Sequence, residues 1–125
     1  GSIVSYGAGD IAEMTIEQGG RSATLTFTGS STELIVKNGD KTLDRETVSS
    51  VLQAVNQLLP YAELTGSVQG ETELTMTMLL RSGTQERIEL MDIGQGLYAV
   101  SVNGEINFAT GAESFSQLSA LLDTL

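Results

Sequence analysis

Two stretches of this chain read as variations on one paragraph, and that recurrence constrains the fold more than any single residue does. The first, Leu34 to Leu59 (LIVKNGDKTLDRETVSSVLQAVNQLL), holds an apolar segment, an Asn38-Gly39 turn, a short return strand and an amphipathic helix. The second, Leu97 to Leu125 (LYAVSVNGEINFATGAESFSQLSALLDTL), repeats that order around Asn103-Gly104. Asn-Gly between strand-like segments is a strong hairpin signal, because both residues accept the positive φ that a two-residue loop demands. Val48, Val51, Val55 and Leu58 superpose on Phe115, Leu118, Leu122 and Leu125 at one constant offset. The turns superpose at an offset two residues shorter, so the second copy carries a two-residue insertion before its helix.

Upstream of each paragraph the chain alternates with a period of two, as a half-buried antiparallel strand does. Ala12, Met14 and Ile16 oppose Glu13, Thr15 and Glu17; after Gly19-Gly20, Ala23, Leu25 and Phe27 oppose Thr24, Thr26 and Thr28. In the second half Leu74, Met76, Met78 and Leu80 oppose Glu73, Thr75, Thr77 and Leu79. Ile88 and Leu90 then alternate with Arg87 and Glu89. Asp44 is the predicted N-cap of the first helix, and Thr110 with Glu113 matches a capping box for the second. Pro60 cannot continue a helix, so the first stripe (Val48, Val51, Leu52, Val55, Leu58, Leu59) is expected to end there. At the second turn, a three-residue loop with a glycine bulge would bring Tyr98, Val100, Ile106 and Phe108 to one face.

The expected architecture is therefore α+β: an antiparallel meander sheet, or two abutting ones, with two helices on one face, built as a tandem ββββα repeat. Residues 1–9, glycine-rich and without periodicity, read as a flexible lead-in. Residues 10–125 form one domain of two repeats, 10–60 and 71–125, joined by a connector over 61–70. At fold level this layout resembles the duplicated sheet-and-two-helix scaffolds of TATA-binding proteins and of a secreted β-lactamase inhibitor, which carries no function with it. Tyr98 to Gly104 (YAVSVNG), running into a Leu-rich terminal helix, resembles uncharacterised domains of exported bacterial lipoproteins. That resemblance implies an extracytoplasmic setting, in the cell envelope or secreted, and brings no catalytic residues.

Composition narrows the chemistry. Sixteen acidic against six basic side chains give a net charge of −10, the wrong sign for nucleic-acid phosphates, and so no nucleic-acid partner is expected. No run of residues has the length and apolarity of a membrane span. With no Cys and no His, thiol chemistry, structural zinc and His-dependent triads are excluded within the chain. A serine nucleophile would need a lysine base, and only Lys37 and Lys41 exist, both beside a turn. Glu86, Glu89 and Asp92 cluster in sequence, but a glycosidase pair needs sugar-holding aromatics, and the chain has three Tyr, three Phe and no Trp. The chain opens on Gly1, which reads as a remnant ahead of a fragment or mature portion of a longer protein.

These readings predict a noncatalytic binding or scaffold domain of an exported bacterial protein, with no cofactor and no metal. Its expected partner is another protein of the cell envelope, held by the open sheet face or an edge strand. The alternative is a small-ligand or carbohydrate-binding module with its site between the repeats. Its candidate ligand-binding residues are Tyr61, Tyr98 and Glu89.

Overall fold

A computed structural model describes residues 1–125 as one nine-stranded antiparallel sheet and two helices. β1 (Ile11–Gln18), β2 (Arg21–Thr28), β3 (Ile35–Asn38) and β4 (Lys41–Thr42) form a meander that runs into α1 (Arg45–Asn56). β5 (Ala62–Glu63) follows. A second meander of β6 (Thr72–Leu80), β7 (Gln85–Gly94), β8 (Leu97–Val102) and β9 (Glu105–Gly111) runs into α2 (Ala112–Thr124). The strand order is β4-β3-β2-β1-β6-β7-β8-β9-β5. Each meander thus begins at the sheet centre, where β1 pairs with β6, and travels outward to its own edge.

One face of the sheet and both helices share a single buried cluster. Met14, Ile16, Leu25, Met76, Met78, Ile88, Leu90 and Val100 meet Val51, Val55, Leu58, Leu118 and Leu121 there. Burying one such side chain contributes roughly 1.5–3 kcal/mol, so the alternation along each strand decides which face the helices cover. Asp44 caps α1 as its sequence position predicts, with Oδ1 accepting from the Thr47 N–H at 2.7 Å. The helices run past one another in opposite senses. Ser114 at the start of α2 donates to the Gln57 carbonyl at the end of α1, whereas Asp123 near the end of α2 pairs with Arg21 of the β1–β2 hairpin.

Several local expectations shift. Ile11, not Ala12, is buried, because a bulge between Ile11 and Glu13 reverses the parity at the start of β1. At the first Asn-Gly, Asn38 pairs with Lys41, so Gly39-Asp40 is the loop; Val36 and Leu43 still share the inner face. At the second, Val102 pairs with Glu105 and both Asn103 and Gly104 have positive φ, a two-residue turn in place of the expected three-residue loop. The bulge lies at Asn107 instead: Ile106 opposes Ser101 while Phe108 opposes Val100, which splits Ile106 from Phe108. α1 ends before Leu58, and Leu59 is half exposed rather than part of the inner stripe. The residue before a proline avoids helical backbone, so the last turn unwinds ahead of Pro60. The capping box does not form either. Thr110 is buried and donates to the Leu59 carbonyl at 2.7 Å, and Gly111 opens α2 without a side-chain cap.

The segment expected as a flexible lead-in over residues 1–9 is packed. Val4 and Tyr6 are buried in the core. The Ile3 N–H donates to the Leu58 carbonyl at 2.8 Å. Asn56 holds Tyr6 at both ends of its peptide unit, accepting from its N–H and donating to its carbonyl. These bonds tie the segment to the end of α1 and to the turn that follows it. The connector over 61–70 also contributes structure: β5 pairs with β9 and becomes the ninth strand.

Candidate functional site

The helix-free face of the sheet falls into two parts. Across β3, β2, β1, β6 and β7 the register lines up Lys37, Thr26, Glu13, Leu79 and Gln85. The next row is Thr24, Thr15, Thr77 and Arg87, and the next is Ser22, Glu17, Thr75 and Glu89. Neighbouring strands lie about 4.8 Å apart, so hydroxyls and charges form a regular lattice there. Thr15 and Thr24 hydroxyls are 3.1 Å apart, in mutual hydrogen-bond range. Glu89 is hydrogen-bonded by Arg87 and by Thr72. That hydrogen bond and the carboxylate charge hold the Arg87 guanidinium above its ordinary pKa.

The other part is covered. Ala62, Ala109, Ala99, Met91 and Thr72 stand in one transverse row from β5 to β6. The chain between Ala62 and Thr72 must therefore recross β9, β8 and β7, roughly 19 Å at the usual strand spacing. Ala99 and Ala109 are fully buried and Ser101 nearly so, yet none belongs to the helix-side cluster. Small side chains on these strands leave a trough, and the connector fills it. Its path is pinned at one end by Leu64, whose N–H donates to the Asn107 carbonyl at 2.9 Å. At the other end Gly70 lies so close that an added Cβ would stand 2.8 Å from the Asp92 carbonyl oxygen. The exposed lattice is thus confined to the strands on the β4 side and centre of the sheet.

The helix side carries a groove and a cleft. A groove of about 450 Å³ runs between α1 and α2, with Thr47, Ser50, Gln53, Gln57, Gln117 and Ala120 among its lining. It holds acids at one end, Asp44 and Glu46, and no basic side chain. A smaller cleft of about 270 Å³ lies where the N-terminal segment meets the ends of β6 and β7. Tyr6, Asp10, Arg81, Ser82 and Glu86 line it. Tyr6 donates its hydroxyl to Glu86, and burial, with this bond and the carboxylate charge, pushes the phenol well above its ordinary pKa. Arg81 is held by the Ile11 and Gly29 carbonyls. Asp10 accepts from the Gly7 N–H at 2.6 Å. The polar groups of this cleft are therefore engaged in fastening the segment down, the arrangement of a clasp.

Tyr61, Tyr98 and Glu89 are not brought together. Tyr61 stands 73 % exposed beside the β5 edge. Tyr98 lies on the helix side, stacked on Phe115 with ring centroids 4.0 Å apart. Burial, then Asp92 and Glu73, raise its pKa. Glu89 opposes Ser101 and Thr75 on the other face. Glu86 is on the helix side with Met78, so the carboxylates that cluster in sequence separate across the sheet. No group of three or more acidic side chains is placed to hold a metal ion. Both sheet edges end in two-residue strands, β4 and β5, which leaves little ladder for an added strand.

Sequence alone does not point to the Tyr6–Glu86 clasp. A tyrosine within a glycine-rich opening segment is its only trace, because the partners lie 80 residues apart. No helix is long and apolar enough to cross a membrane. Neither a protein-family model, nor a curated protein, nor a solved structure matches the chain.

Proposed function

We propose that the chain is a noncatalytic binding or scaffold domain of an exported bacterial protein, and that its contact surface is the uncovered lattice on β2, β1, β6 and β7. The observation that carries this reading is the unequal treatment of the two halves of that face. The chain lays its own connector over Ala99, Ser101 and Ala109 but leaves the threonine rows uncovered, with Thr24 and Thr26 exposed and Thr15, Thr75 and Thr77 partly exposed. Ordered hydroxyls on a rigid sheet give a partner protein fixed hydrogen-bonding positions at little entropic cost. The short edge strands favour the face over strand addition. The two outward-running meanders, each followed by a helix, support a tandem ββββα duplication, which in this reading supplied a wide sheet. The envelope setting rests on the resemblance of Tyr98 to Gly104 and the following helix to lipoprotein domains.

The test compares two charge-placing variants as baits in envelope extract. Thr15→Arg/Thr77→Arg alters the lattice, and Ser49→Arg alters an exposed position on α1. Loss of a specifically retained protein with the first bait alone is the expected result. Equal retention by both baits overturns the assignment of the surface.

A small-ligand module remains the second reading, now favoured only by the interhelical groove with its amide and hydroxyl lining. A rise in melting temperature with a sugar or other small polar ligand, abolished by Gln53→Leu/Gln117→Leu, would establish it over the first.

A further inference from the structure

The two Asn-Gly sequences are chemically alike but structurally unlike. Asn-Gly is the sequence most prone to side-chain deamidation, because a following residue without a side chain leaves its main-chain nitrogen unhindered. At Asn103 the native structure opposes this reaction twice. The Asn103 side-chain carbonyl accepts from the Arg87 main-chain N–H at 2.8 Å, and the Asn103 main-chain N–H donates to the Arg87 carbonyl at 2.8 Å. The turn also joins β8 to β9, which are held together from Leu97 to Gly111, with β7 and β5 on either side.

Asn38 is protected on one side only, by its pairing with Leu25 of β2. Its side-chain amide makes no hydrogen bond to another residue, and the hairpin it closes has only two paired positions, Lys37 with Thr42 and Asn38 with Lys41. β4 is the last strand of the sheet, both its residues are exposed, and Gly39 and Asp40 are exposed beside it. Short edge hairpins open locally far more often than interior ones, and ring closure needs such an opening to rotate Asn38 out of its strand conformation.

We infer that Asn38 is a selective site of spontaneous deamidation in the folded protein and that Asn103 is shielded from it. The Gly39 main-chain nitrogen attacks Cγ of Asn38, losing its proton to solvent base. The new C–N bond forms as the side-chain amide C–N bond breaks, and nitrogen leaves as ammonia after taking up a proton. Water then opens the cyclic imide at either carbonyl, giving aspartate or isoaspartate, with no change of oxidation state. Either product replaces a neutral amide by a carboxylate. The isoaspartyl form also adds a methylene to the main chain at the residue that pairs with Lys41, so it disrupts the hairpin that precedes the Asp44 cap.

The full chain, incubated folded at mildly alkaline pH, is sampled over time and digested, and the acid and isoaspartyl products at positions 38 and 103 are quantified by mass spectrometry. A parallel sample in denaturant reports the two intrinsic rates. The expected native rate at Asn38 exceeds that at Asn103 by about tenfold or more, since a net hydrogen bond and restricted opening act in the same direction. The denatured rates are expected to agree within about twofold, because both sites then lack the structure that separates them. Equal native rates, faster reaction at Asn103, or a denatured ratio as large as the native one would each overturn the inference.

Discussion

Replacing Tyr6 by Phe tests how firmly the N-terminal segment is held. The ring is 7 % exposed and stays in place in the variant; only the hydroxyl bonded to Glu86 is lost. A hydrogen bond to a charged acceptor is worth about 1.5–3 kcal/mol. The Glu86 carboxylate borders a cleft of about 270 Å³ and can rehydrate, which brings the expected loss down to about 1–2 kcal/mol. For a domain of this size each kcal/mol lowers the melting temperature by roughly 3–6 °C. The alkaline limb gives an independent reading. Tyr6 has a folded-state pKa raised above the ordinary 10.0, so its stabilisation is whole below that value. As pH rises further the unfolded chain ionises first, and stability falls until the folded-state pKa is passed. Between the two pKa values one proton's difference gives a slope of up to about 1.4 kcal/mol per pH unit, and screening at the cleft mouth shortens the pH range over which it acts. Urea unfolding of wild type and Tyr6→Phe at neutral and alkaline pH measures both effects. A variant with unchanged neutral stability and an unchanged alkaline slope would refute the clasp.

Three further outcomes follow from the packing. Gly70→Ala brings a Cβ to 2.8 Å from the Asp92 carbonyl, and the backbone shift it forces is expected to cost about 1–3 kcal/mol in denaturant unfolding. Ala109→Leu, beneath the connector, is expected to cost a similar ~1–3 kcal/mol and to speed amide exchange at Leu64, whose N–H bonds the Asn107 carbonyl. Asp44→Ala lowers the melting temperature at neutral pH, because the Thr47 N–H loses its acceptor. The Thr47 bonds hold the Asp44 carboxyl below its ordinary pKa of 3.8, so its contribution is intact above that value and fades as pH falls through the folded-state value. The gap between wild type and variant therefore closes in acid.

How much of this was legible depended on whether a residue's role is set by its neighbours in sequence. Ala23, Leu25 and Phe27 sit inward as their alternation predicts, and Gly19-Gly20 closes the β1–β2 hairpin at Gln18 and Arg21. Asp44 caps α1 because the cap is a contact across three residues. Roles decided by distant partners left little trace. Thr110 has the sequence of a cap, but the Leu59 carbonyl competes for its hydroxyl and wins. Ala99 and Ala109 read as unremarkable strand residues, although their small size is what lets the connector cross them. Single-residue bulges after Ile11 and at Asn107 reverse a period-two pattern without changing composition. Of the candidate ligand-binding residues, Tyr98 and Glu89 lie on opposite faces of the sheet, a separation that register imposes.

The threonine lattice, not the helix surface, is the face proposed to meet a partner. Photo-crosslinking in intact cells tests it most directly, with the reactive residue placed at position 77 on the lattice or at position 49 on α1. One discrete adduct from position 77 that is lost with Thr15→Arg, and none of that mass from position 49, is the expected result. An adduct from position 49 alone, or the same adduct from both positions, would contradict it.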